Sequence, residues 1–266
     1  MRPAVAYEWR RLRTLRSTWW LFGVSLVVTA LLGLAFAALV LDLRADPGQA
    51  VSSSETFILV LTRSVLTPVA AGLIGVFAIG HDLRYGTVTT TLLVTPRRSV
   101  ALAAKALVVA GATAAMAVAN LAVAWTVALA VLSGRIPMDL SPFHLVRAQA
   151  GFVLLVVGWA LIGLALGLLL PSQPAAILAL VVTPFIIEPI FRLFLGSSSF
   201  GPVREAAQFL PFAAGDAMLS GADASASAVL GESMSGAGPL VGGATFLLFV
   251  AILSWGGVAS FRQRDV

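Results

Sequence analysis

Cysteine is absent from the 266 residues, which excludes disulfide bonds and thiolate metal sites. The two histidines, His81 and His144, are too few for a histidine-based metal cluster. Charge is scarce too: 11% of the residues are Asp, Glu, Lys or Arg, against 59% hydrophobic. Soluble domains carry about 25% charged residues, so a mean hydropathy of +0.98 points to a membrane protein. The sole lysine, Lys105, is flanked by Ala103, Ala104 and Ala106. It cannot be the lysine of a phosphate loop, which follows glycine and precedes Ser or Thr. Neither catalysis nor a cofactor site is therefore expected in this chain, and any ATP it depends on is bound elsewhere. The basic pI near 10.9 does not argue for nucleic acid. The arginines stand at the ends of apolar runs, where charge sets membrane orientation.

What the chain has is length in apolar runs. A helix crossing the hydrocarbon needs roughly 20 apolar residues, and six stretches qualify: 19–41, 57–80, 106–132, 148–170, 175–195 and 239–261. The expected fold is an all-α membrane protein with six transmembrane helices in one domain. Spans two and five are irregular, with Pro68 and Gly72 in the former and Pro184, Glu188 and Pro189 in the latter. Pro171-Ser172-Gln173-Pro174 is a tight turn that makes spans four and five an antiparallel hairpin. Gly163 and Gly167 in span four, and Ala110, Ala114 and Ala117 in span three, suit close helix packing within the bundle or at a dimer seam.

An even number of spans puts both termini on one side. If that side is the cytoplasm, eleven basic residues and three acids lie inside, against six basic residues and eight acids outside. The excess of arginine inside orients the chain. Ala35-Phe36-Ala37 resembles a signal-peptidase site, but the apolar run before it is too long and further spans follow, so it belongs to the first span. Ahead of that span, Val5, Trp9, Leu12, Leu15 and Trp19 recur at helical spacing, with Arg10, Arg11 and Arg13 off the stripe. The spacing predicts an amphipathic helix over 1–17 lying in the inner interface against anionic lipid. In the outer segment 196–238, the island Phe209–Ala214 is too short to span and reads as a re-entrant or interfacial helix.

Between spans two and three lies a polar, basic segment, 81–98, holding Asp82, Arg84, Tyr85, Gly86, five threonines, Pro96, Arg97 and Arg98. A chain this apolar has a use for such a hairpin in water: a short helix there offers Arg84, Tyr85, Leu92 and Leu93 to a soluble partner. Few side chains suggest chemistry elsewhere. Glu188 and Arg192 are spaced for a local ion pair, or Glu188 contacts a polar or cationic substrate. Phe77, Thr183 and Phe185 would line an apolar substrate path with Glu188. Serine, histidine and acid do not converge as an intramembrane protease requires.

At the hairpin, Asp82, Arg84-Tyr85-Gly86-Thr87, Leu92, Pro96-Arg97-Arg98 and Lys105 give the chain its likeness to a known family. It resembles the permease subunit of a bacterial type-2 ATP-binding cassette (ABC) exporter, in which an acid, Tyr-Gly-Thr, a leucine, Pro-Arg-Arg and a lysine occur in that order. Asp82 stands where the family usually has glutamate. The resemblance extends to the basic N-terminal segment, to Leu210–Gly215 and to the Phe261–Val266 ending. It implies a cytoplasmic coupling helix formed by Asp82, Arg84, Tyr85, Gly86, Thr87, Leu92, Pro96 and Arg97, docking on a separate ATPase that holds ATP and magnesium. It further implies a second permease half, the same chain in a homodimer, and residence in the bacterial inner membrane. Export of a drug-, antibiotic- or lipid-like compound between spans two and five would be the function. A stand-alone ion-coupled transporter or channel is the alternative, with few intramembrane acids to support it.

Overall fold

The computed structural model describes residues 1–44, 60–62, 64–85, 98–134, 142–197, 200–219 and 238–263. Most of these are helical, with no strand among the described residues. In order they form α1 (Arg2–Thr14), α2 (Arg16–Arg44), α3 (Leu66–Tyr85), α4 (Arg98–Leu132), α5 (Pro142–Leu169) and α6 (Gln173–Val182). A π turn at Thr183–Ile187 joins α6 to α7 (Glu188–Gly196), after which come α8 (Gly201–Ala206), a 3-10 turn at Ala207–Phe209, α9 (Pro211–Ala217) and α10 (Pro239–Gln263). Six stretches are long and apolar enough to cross a membrane: Arg16–Asp42, Val60–Gly80, Ser99–Leu132, Leu145–Leu169, Gln173–Gly196 and Pro239–Phe261. The protein is a multi-pass membrane protein.

Polarity is arranged for lipid. Leu31, Leu107, Val118, Leu178, Phe194, Leu248 and Trp255 face outward, while Ser25, Thr29, Thr67, Thr113 and Asn120 are buried. Hydrocarbon tolerates exposed apolar side chains and penalises polar ones, so the hydroxyls and the amide turn inward to find partners. Spans two and four form the centre, 76% and 67% buried, and span five is peripheral at 11%.

Small residues let α3 and α5 approach at backbone distance. A methyl added at Gly163 would overlap the Gly72 carbonyl oxygen, and one at Gly75 would overlap that of Ala160. Gly167 is covered by Ile79 in the same way. The paired glycines of span four thus serve packing inside the chain. Without a hydrophobic drive between helices in lipid, this close van der Waals fit is what holds the pair.

The irregularity expected in span five is a change of helix type. A proline has no N–H and crowds the carbonyl four residues back. Around Pro184 and Pro189 the ladder widens, and the Glu188 N–H donates to the Thr183 carbonyl five residues back. The turn before α6 is closed by Ser172, whose side chain accepts from the Ala175 N–H at 3.4 Å, with Pro174 in the first turn where no donor is needed.

Candidate functional site

At one end of the bundle, α1 is a separate helix. Leu15 adopts an extended conformation and breaks the chain between α1 and α2. The buried face of α1 is Ala4, Glu8 and Leu12, while Trp9 is half exposed. Trp9, placed with Leu12 on one apolar stripe by its spacing, lies outside the buried contact. Glu8 takes the central place because it has a partner: Lys105 Nζ on α4 lies 2.7 Å from Glu8 Oε2, and Arg11 lies 3.6 Å from the same oxygen. Both members of the closer pair are buried, at 5% and 3% exposure. Lys105, grouped by sequence with the water-facing basic residues of the hairpin, is instead an interior residue of a membrane-spanning helix. The signal that could have found it was its solitude, the only lysine in the chain beside the only acid of the first forty residues.

The hairpin begins as a continuation of α3, whose helix runs through His81, Asp82, Arg84 and Tyr85. The side chains of these residues lie outside the described residues, as do Gly86, Thr87, Leu92, Pro96 and Arg97 entirely. Arg98 opens α4, so the hairpin's two ends meet the bundle where α1 packs on α4.

The four residues assigned to a substrate path do not share one site. Phe77 lines a cleft of about 860 Å³ with Gly80, Gly167, Gln173, Pro174 and Ile177, at the end of the bundle where α3 meets the α5–α6 turn. Phe185 lines a second cleft, of about 240 Å³, at the opposite end of the same two spans, with Pro68 and Pro184 among its walls. Thr183 is half-buried in the π turn and borders neither cleft. Glu188 is buried for another reason. Its Oε2 accepts from the Phe212 N–H at 3.0 Å, and its Oε1 accepts from the Ala213 N–H. The carboxylate therefore closes the start of α9, where helix N–H groups would otherwise lack partners. Arg192 acts on the same carboxylate as a weaker electrostatic partner than these two backbone donors. The link spans 24 residues of sequence and no spacing rule announces it.

The second cleft is built of rings and acceptors. Trp159 on α5 lies 4.8 Å from Phe212 of α9 and 6.4 Å from Phe185 of the π turn, ring centre to ring centre. Phe212 is in turn 6.3 Å from Phe249 on α10, in an edge-on arrangement. Asp216, one helical turn after Phe212 on α9, lines the cleft as well, and so does Ser64 at the start of span two.

Ser64 belongs to a buried polar network that joins α2, span two and α4. Asn120, the only asparagine, donates from Nδ2 to the Met116 carbonyl at 2.8 Å and to Ser25 Oγ at 3.1 Å. A carbonyl can only accept, so the amide orientation is set. Asn120 Oδ1 accepts from Thr29 Oγ1 at 2.6 Å, and Ser25 donates to the Phe22 carbonyl at 2.8 Å. Ser64 Oγ lies 2.7 Å from both Thr29 Oγ1 and Thr67 Oγ1. This network is not legible in the sequence, because isolated Ser, Thr and Asn in apolar runs carry no periodic signal.

No protein-family model matches the sequence, and no curated relative matches it.

Proposed function

We propose that the chain is the membrane-spanning subunit of an ABC exporter, moving a hydrophobic or amphipathic compound with energy from ATP hydrolysed by a separate cytoplasmic subunit. The observation that carries this reading is the buried Glu8–Lys105 pair. It fixes the N-terminal helix to the first turns of α4, next to both ends of the basic hairpin. A soluble ATPase pressing on that hairpin would meet one mechanically joined unit made of α1, the end of span two and the start of span three. The resemblance at Asp82–Arg98 supports the same assignment, with α1 as the connecting helix in the inner interface and Asp82, Arg84, Tyr85, Gly86, Thr87, Leu92, Pro96 and Arg97 as the coupling surface.

Exposed Tyr7, Trp9, Trp19 and Trp20 cluster around the α1–α2 break. Amphipathic rings of this kind favour the headgroup region, which suits a helix held at the bilayer surface. Both termini are cytoplasmic in this reading, the membrane is the bacterial inner membrane, and a second copy of the chain completes the translocation path. Spans two and five would border that path, the inner cleft at Phe77 and the outer cleft at Phe185 marking its two ends.

Purified chain should hydrolyse no ATP alone, and should gain ATP-driven transport when reconstituted with an ATPase encoded beside its gene. ATP turnover by the isolated chain, or transport driven by an ion gradient without any ATPase, would overturn the proposal. The second result would favour a stand-alone carrier.

A further inference from the structure

We propose that the outer cleft between span two, α5, the π turn and α9 binds an organic cation: a flat apolar body carrying an ammonium group with N–H donors. The polar network behind the cleft has few hydrogens to give. A hydroxyl has one hydrogen to give. Thr29 gives its hydrogen to Asn120 Oδ1, the shortest contact in the network at 2.6 Å. Ser64, 2.7 Å from Thr29, must then be the donor in that pair. With the Ser64 hydrogen used, Thr67 donates to Ser64 across the remaining 2.7 Å contact. The other assignment sends the Thr67 hydrogen to Asn120 at 3.2 Å. Ser64 then has to donate to one of its two threonine neighbours. Under either assignment the Ser64 hydrogen is committed inside the bundle. Toward the cleft, Ser64 has only a lone pair.

Two further polar residues line the cleft: Thr62, whose hydroxyl can donate or accept, and Asp216, whose carboxylate only accepts when ionised. The carboxylate offers about four lone-pair positions, so it can take a ligand ammonium alongside its contacts within the protein. The other walls are apolar, and among them are the rings of Trp159, Phe185 and Phe212, whose faces are the negative part of the ring quadrupole. Phe212 and Asp216 are four residues apart on α9, so ring and carboxylate stand on the same side of that helix. Lone pair, carboxylate and ring faces all favour a positively polarised ligand and disfavour an anion. The volume of about 240 Å³ admits a two-ring body with a short arm. That the bound cation is cargo rests on the exporter reading, whereas binding itself requires only this chain.

The test uses the full chain in phosphatidylcholine nanodiscs, with signal from empty discs subtracted. Naphthylethylammonium, its trimethylammonium analogue, naphthylethanol and naphthylacetate are titrated by energy transfer from tryptophan. The primary ammonium should saturate most tightly, the trimethyl analogue and the alcohol more weakly, and the acetate not at all. Asp216→Asn and Phe185→Ala should each weaken ammonium binding by about tenfold, the scale of one charge or cation–ring contact in a half-buried site. Equal binding of all four probes, tighter binding of the acetate, no saturation by the ammonium, or unchanged affinity in both variants would overturn the proposal. Because the comparison among probes is made on the unaltered chain, a variant that fails to fold does not remove the test. Saturable ammonium binding without any ATP-driven export would sink the exporter reading and leave this site standing.

Discussion

Glu8 and Lys105 are each the other's reason for being buried. Desolvating two charges is offset by their mutual attraction only while both are present, and removing one leaves a buried charge at a cost of about 3–5 kcal/mol. Lys105→Met alone is therefore expected to lower the thermal stability of the detergent-solubilised protein strongly. The double variant Glu8→Leu with Lys105→Met should recover most of the loss, since a well-packed apolar pair is often as stable as the ion pair it replaces. A double variant as unstable as the single one would show that Lys105 acts through something other than Glu8. Lys105 is close to Arg97 and Arg98 in sequence, yet it lies two turns into α4 and faces inward. Burial of a charge depends on what the facing helix offers. The glutamate that decides it is 97 residues away.

At the level of helices, the contact between α3 and α5 depends on glycine at the crossing. Gly163→Ala would push a methyl into the Gly72 backbone, which cannot yield as a flexible side chain can. Overpacking of this kind costs about 1–3 kcal/mol or more. Gly111→Ala on α4 meets nothing within 4 Å and should be neutral or slightly stabilising, because alanine favours a helix over glycine by about 1 kcal/mol. Unfolding midpoints of the two variants, measured side by side, check the contrast. Equal midpoints would mean that the two helices are not held at backbone distance. The glycine spacing in span four was legible as a packing motif. Its partner was not, because span two presents Gly72 and Gly75 with a different spacing, and only the crossing itself pairs them.

For the whole molecule, the functional prediction concerns the hairpin end. In the exporter reading, Tyr85→Ala and Arg84→Glu should each reduce co-purification with the ATPase and the transport-linked ATPase rate, while insertion and unfolding temperature stay unchanged. Aromatic and arginine anchors dominate such interfaces at roughly 2 kcal/mol or more, which corresponds to about a thirtyfold loss of affinity. Unaltered association in both variants would remove the hairpin from this role. The cleft at Phe185, at the far end of the bundle, should respond to neither substitution. Binding of naphthylethylammonium at Phe185 therefore separates loss of coupling from loss of the site.

Six membrane-spanning helices were readable from composition and run length alone, because hydrocarbon imposes one simple demand: backbone hydrogen bonds closed within each span and apolar side chains around it. The irregularity of span five was readable too, since Pro184 and Pro189 act on their own segment. The sequence also held every member of the polar network, but not its connections. Whether Asn120 meets Thr29 and Ser64, whether Glu188 closes the start of α9 or pairs with Arg192, and which of Trp9 and Glu8 turns inward are decided by helix rotation and crossing. Those follow from packing many residues at once. A buried polar side chain must satisfy its hydrogen bonds wherever the fold brings a partner, and in this protein the partners arrive from other helices. The tertiary structure alone made an acceptor of Ser64, through hydroxyls 35 and 3 residues away.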